Sequence, residues 1–173
     1  MKVRDLERLL VEHGVGAAKI DAVTRRLRHN GRLPKGGRGP NAPDIGPIEA
    51  ATILLALAGS STGAEADIRL EKLETLPLRR SSAGAAFTLL QALTDALDRP
   101  ESITGLKEVR VGRTTRHALF VYADGRLDEF RRESSRKSDR FYVESVVPAQ
   151  LLSKVASEVA RGVPDEHGAE RPS

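Results

Sequence analysis

Residues Arg25 to Pro43 read RRLRHNGRLPKGGRGPNAP, and the fold turns on whether this is one basic linker or two parts of an ordered surface. Six arginines and lysines fall within the fourteen residues from Arg25 to Arg38, with no acid among them. Upstream, Ile20, Val23 and Leu27 recur at helical spacing and define an inward face. Opposite them on the same wheel lie Ala18, Ala22, Arg25 and His29, with Arg26 and Arg28 towards the flanks. Asn30-Gly31 then supplies a left-handed helix stop. From Gly31 to Gly46 there are three prolines and five glycines in sixteen residues, which leaves only loop or short extended pieces. The basic run therefore divides at Asn30-Gly31 into a helix face and a Gly/Pro arm.

Outward from this stretch, Leu6, Leu9 and Leu10 predict a helix over 5–13, stopped at Gly14. Pro47 suits a first helical position, and Ile48 to Ala58 is apolar enough to predict a third, buried helix. Residues 60–66 read as a linker. Beyond it, 68–78 reads as helical, and Ser81 or Ser82 is the expected cap of a helix running to Asp98, with Phe87, Leu90, Leu93 and Leu97 on one stripe. Arg99-Pro100 ends that helix. The β signals follow: EVRV at 108–111, ALFVY at 118–122, Asp124-Gly125 as a two-residue hairpin turn, RLDEF at 126–130 and FYVESVV at 141–147. Pro148 opens a last helix bearing Leu151, Leu152, Val155 and Val159. The tail over 163–173 has no apolar pattern and is expected to be disordered. These elements predict an α+β protein: a helical domain over 1–59, then, over 67–162, a small antiparallel sheet flanked by helices that serves oligomerisation or partner binding.

The 173 residues, 39% hydrophobic and 30% charged, are globular in composition. The absence of cysteine excludes a disulfide framework and thiolate metal sites. The start MKVRDLERLL has no signal-peptide core, and the apolar run Ile53 to Ala58 is too short to cross a bilayer. The expectation is a soluble cytoplasmic protein with no membrane partner. The formal charge is +4, yet Lys19 to Arg38 carries seven basic residues against the single acid Asp21. Arginine outnumbers lysine 21 to 7, which favours bidentate contacts to phosphate or guanine. Charge concentrated in this way points to a nucleic-acid partner.

Residues 3–58 resemble, at the level of the class, a winged helix-turn-helix DNA-binding domain of the kind found in phage and mobile-element regulators. The matching features are the short helix, the GVGA turn, the second helix, the basic RLPKGGRGPNAPDI segment as a wing, and the further helix. The resemblance implies legs at Arg32-Leu33 and Ala42 to Ile45, with a tip from Lys35 to Gly39. It also implies a second helix that reads the major groove. The candidate DNA-binding set is Ala18, Lys19, Ala22, Arg25, Arg26, Arg28, His29, Arg32, Lys35 and Arg38. The alanines permit close approach, Arg25 can reach a guanine edge, and the flanking cations meet phosphates. The implied function is sequence-specific binding of double-stranded DNA by a transcriptional regulator acting as a homodimer.

The alternatives come from other classes. A non-enzymatic DNA- or RNA-binding adaptor, for example in phage packaging, would bind without sequence choice. Phe120, Tyr122, Phe130, Phe141 and Tyr142 among arginines could form a single-strand or RNA platform, although a sheet core packed on helices is the preferred reading. The histidines lack ligand spacing, the carboxylates do not cluster, and no serine has a base. No enzyme, cofactor or metal is therefore expected.

Overall fold

The computed structural model describes residues 1–35, 42–79, 87–132 and 143–162. Among these residues the protein is α+β, with six α-helices and a four-stranded antiparallel sheet. Helices α1 (Val3–Glu12), α2 (Ala17–His29), α3 (Pro47–Gly59) and α4 (Ala66–Glu74) come first. Helix α5 (Leu89–Asp98) precedes strands β1 (Leu106–Gly112), β2 (His117–Tyr122), β3 (Leu127–Arg131) and β4 (Glu144–Pro148), and α6 (Ala149–Gly162) follows directly.

Helix α3 is the centre of the packing. Every residue from Ala50 to Gly59 is buried, so this helix has no polar face to turn to water. It packs against α2, α4, α5, α6, β1 and β4. Buried residues on both sides of the boundary expected at 60–66 belong to one hydrophobic cluster. Within that boundary, Gly63–Glu65 form a short 3-10 turn, and Gly63 lies directly against Ala22 of α2.

The sheet runs in the order β3-β2-β1-β4. Alternation places Val109, Val111, Ala118, Phe120, Phe130 and Val147 on the buried, helix-facing side. Phe120 and Phe130 meet at 5.2 Å between ring centroids, so these two aromatics are core side chains and not a stacking platform. Phe141 and Tyr142 lie outside the described residues. The opposite face carries Leu119, Val121, Leu127 and Val146, together with the Glu108–Arg110 and Glu129–Arg131 ion pairs.

One row of that open face depends on a glycine. Gly112 pairs with Glu144 on one side, and the register that matches Val111 with Ala118 brings His117 to its other side. With no side chain between them, His117 Nε2 and Glu144 Oε1 meet at 2.7 Å, while His117 Nδ1 lies 2.7 Å from Thr115 Oγ1. A Cβ at Gly112 would collide with both Thr115 Oγ1 and His117 Nδ1.

Three local expectations change. Helix α5 starts at Leu89, capped by Thr88 with Gln91 in a capping box, because Phe87 and Thr88 pair in extended form with Pro77 and Leu78. Ser81 and Ser82 lie outside the described residues. The helix expected over 68–78 stops at Glu74 for the same reason: Leu78 and Arg79 run alongside β3, with Arg79 N–H donating to Glu129 O at 2.9 Å. The β2–β3 turn uses Ala123, Asp124 and Gly125, not two residues, and Tyr122 N–H donates to Arg126 O at 3.0 Å. Only Gly125 has positive φ, at 85°, whereas a two-residue type I′ turn needs it at both positions.

Gly112→Ala should cost about 1–3 kcal/mol, because a methyl group forced into a filled row displaces its neighbours. Urea unfolding should show a smaller cost in a His117→Ala background, since the clash is then partly relieved.

Candidate nucleic-acid interface

Helix α2 buries Ile20, Val23, Thr24 and Leu27 and leaves Ala18, Ala22, Arg25, Arg26 and His29 exposed. The expected inward and outward faces are therefore the observed ones. Thr24, the buried polar member, donates its hydroxyl to Glu7 Oε1 of α1 at 3.0 Å. Glu7 also faces Arg28 at 3.7 Å, so one carboxylate ties α1 to two positions of α2.

The arginines do not all point into solvent without partners. Arg26 Nε and Asn30 Nδ2 both donate to Oδ2 of Asp67, a carboxylate that is only 11% exposed in the first turn of α4. Arg32 makes two parallel contacts of 3.0 Å to the carboxylate of Glu74, at the other end of α4. This fork geometry is the strong form of the arginine–carboxylate pair. Asp67 and Glu74 are seven residues apart, hence on one face of α4, and together they clamp the α2 end of the basic run. Lys19 is also turned inward: its ammonium donates to Leu57 O at 2.8 Å and Ser60 O at 2.7 Å, capping the carbonyl end of α3. Burial, with a further contribution from Arg113, pulls its pKa below the ordinary lysine value.

Among the described residues, Arg25 pairs only with exposed Asp21, one turn earlier on its own helix. Such a pair is weak and readily exchanged for another anion. His29 and Lys35 are exposed, and Arg38 lies outside the described residues.

The arm is fastened at both legs. Leu33 and Ile45 are 3% and 2% exposed, so each anchors its leg in the core. The second leg pairs not with the first but with the segment before α1: Asp44 bridges Lys2, and Ile45 N–H donates to Met1 O at 2.8 Å. Lys2 Nζ reaches both Ala42 O and Asp44 Oδ2, the latter at 3.1 Å. The nine candidate residues that are described thus divide: Ala18, Ala22, Arg25, His29 and Lys35 lie on the surface, whereas Lys19 turns to the end of α3, Arg28 faces Glu7 of α1, and Arg26 and Arg32, though partly exposed, are tied to α4.

Sequence reasoning missed Asp67 and Glu74. Their heptad spacing is visible in the sequence, but nothing local says that α4 lies beside α2. Among the described residues no helix is long and apolar enough to cross a membrane. The chain matches no protein-family model, no curated protein and no solved structure.

Two outcomes follow from these contacts. Asp67→Ala should lower stability by about 1–3 kcal/mol, because it strips Arg26 and Asn30 of their shared acceptor; a shifted urea midpoint with unchanged slope checks this. The Lys2 side chain, through its hydrogen bond, holds the Asp44 carboxyl below its ordinary value of 3.8. A depressed carboxylate stabilises the fold above the unfolded value and loses that contribution as pH falls through the folded one. The Asp44 carboxyl should therefore titrate below 3.8 by NMR and return towards it in Lys2→Ala.

Proposed function

We propose that the protein binds double-stranded DNA through the outer face of α2 and the arm that follows it, as a winged helix-turn-helix transcriptional regulator working as a dimer. One observation carries this reading. The face of α2 opposite its core contacts presents Ala18, Arg25 and His29 to solvent, with Ala22 lying against Gly63, and runs directly into an arm held at both legs. Small side chains let a helix approach a groove closely, and Arg25 can exchange its exposed Asp21 partner for a guanine edge or a phosphate. Helix α1, bound through Glu7 and Thr24, supports α2 from behind. Lys35 begins the segment that would reach the backbone or the minor groove.

The paired arginines sharpen the proposal. Arg26 and Arg32 are committed to Asp67 and Glu74, so they orient α2 and the arm and do not enter the contact set. A packaging adaptor would use the same surface without sequence choice, and the ratio of specific to non-specific affinity at fixed salt separates the two.

Fluorescence anisotropy with duplex DNA selected from a random pool tests this. Arg25→Ala should weaken specific binding by about 10- to 100-fold, and Lys35→Ala should weaken all sequences alike while reducing the salt slope by about one. Arg32→Ala should lower stability and leave the affinity of the folded fraction nearly unchanged. Binding that ignores salt and is indifferent to both Arg25→Ala and Lys35→Ala would sink the reading.

A further inference from the structure

The two edges of the sheet are treated differently. The outer edge of β3 is covered by the chain itself: Leu78 bridges Phe130, Arg79 N–H donates to Glu129 O, and Arg131 N–H donates to Pro77 O at 3.1 Å. On the other side, β4 pairs with β1 alone among the described residues. Arg113 N–H donates to Val143 O at 2.8 Å, and Gly112 stands opposite Glu144. By the alternation of an antiparallel ladder, Val143, Ser145 and Val147 turn their backbone groups to β1, whereas Glu144, Val146 and Pro148 turn theirs outward. Val146 is also 52% exposed, and Val143, at the entrance to the strand, is 43% exposed. An open edge that adds apolar side chains to unpaired N–H and C=O groups is a template for another strand.

We infer that β4 is the dimer seam: β4 of a second copy pairs antiparallel with it about a two-fold axis at Val146, joining the two sheets into one. The strand's own composition selects this register. With the axis at Val146, each Val146 N–H donates to the other copy's Val146 C=O, and each Glu144 N–H donates to the other copy's Pro148 C=O. Pro148, which has no N–H, falls at the end of the ladder, so each end closes on a single bond and the Glu144 C=O opposite it is left to solvent. The two Val146 side chains become direct cross-strand neighbours on the open face, a favourable apolar pair. A shift by two residues would set Val146 against Glu144, whose carboxylate is held by His117. An isologous contact of this kind closes on itself and leaves no edge to propagate. Helix α6 packs over both β4 and β1, so the same axis brings α6 of each copy to the seam. The proposal deepens the reading of a two-headed DNA-binding protein, and the edge itself is visible without that reading.

Sedimentation equilibrium and backbone hydrogen exchange on the full chain test it. The wild type should be a dimer, and Val146→Asp, which sets two carboxylates face to face, should weaken dimerisation by about tenfold or more. Leu127→Asp, equally exposed but beside the covered edge, should leave it unchanged. Should Val146→Asp fold poorly, the wild type still decides. The Glu144 and Val146 amides should become protected as concentration rises, while those of Ser145 and Val147 stay protected throughout. A monomeric wild type, a dimer sensitive to Leu127→Asp and not to Val146→Asp, or fast Glu144 and Val146 exchange in the dimer overturns the proposal. A dimer with these properties that binds no duplex supports the seam and removes the DNA reading; a monomer that binds duplex does the reverse.

Discussion

The burial of α3 constrains the rest of the molecule. A helix with ten consecutive buried residues, Ala50 to Gly59, must be surrounded. Its alanines and its terminal glycine let neighbours come close, and α2, α4, α5, α6 and the β1–β4 side of the sheet all use it as their shared surface. Its carbonyl end, which would otherwise be left without donors inside the protein, is satisfied by Lys19 from α2. That contact links the most apolar segment of the chain to the most basic one, and it sets the position from which α2 presents its outer face.

Electrostatics do the rest of the positioning. A run of cations on one short helix and its loop would repel itself and fray if left alone. The fold places Asp67, Glu74 and Glu7 against it, on α4 and α1. Among the described residues of the run, Arg25 and Lys35 are the exposed cations that no carboxylate of another helix engages. Arg26, Arg28 and Arg32 work as struts to α4 and α1. A count of basic residues along the sequence measures the sum of both roles and cannot separate them.

In the sheet half, the same economy appears as rows of side chains. Gly112 leaves a gap that the His117–Glu144 contact spans, which fixes β4 to β2 across β1. The 77–79 segment covers one edge, and among the described residues β4, at the other edge, pairs with β1 alone. These features are each made by residues far apart in the chain, and together they make the two edges of the sheet different.

Much of this was legible locally. The spacing of Ile20, Val23 and Leu27 determines which side of α2 is outward, and the uniform apolarity of 48–58 determines that α3 is buried. The alternation in EVRV determines which face of β1 is core. All of these follow from the period of a helix or a strand, which needs no partner to be read. Three things belong to the tertiary structure alone: the pairing of Arg26 and Arg32 with α4, the extended course of Pro77 to Arg79 beside β3, and the binding of the arm's second leg to the segment before α1. Each is a contact between residues about forty or more positions apart, where the energy lies in a partner that no local pattern names. The sequence by itself therefore determined the faces of the elements. Only the packing around α3 decided which charges on those faces are tied to α4 and α1.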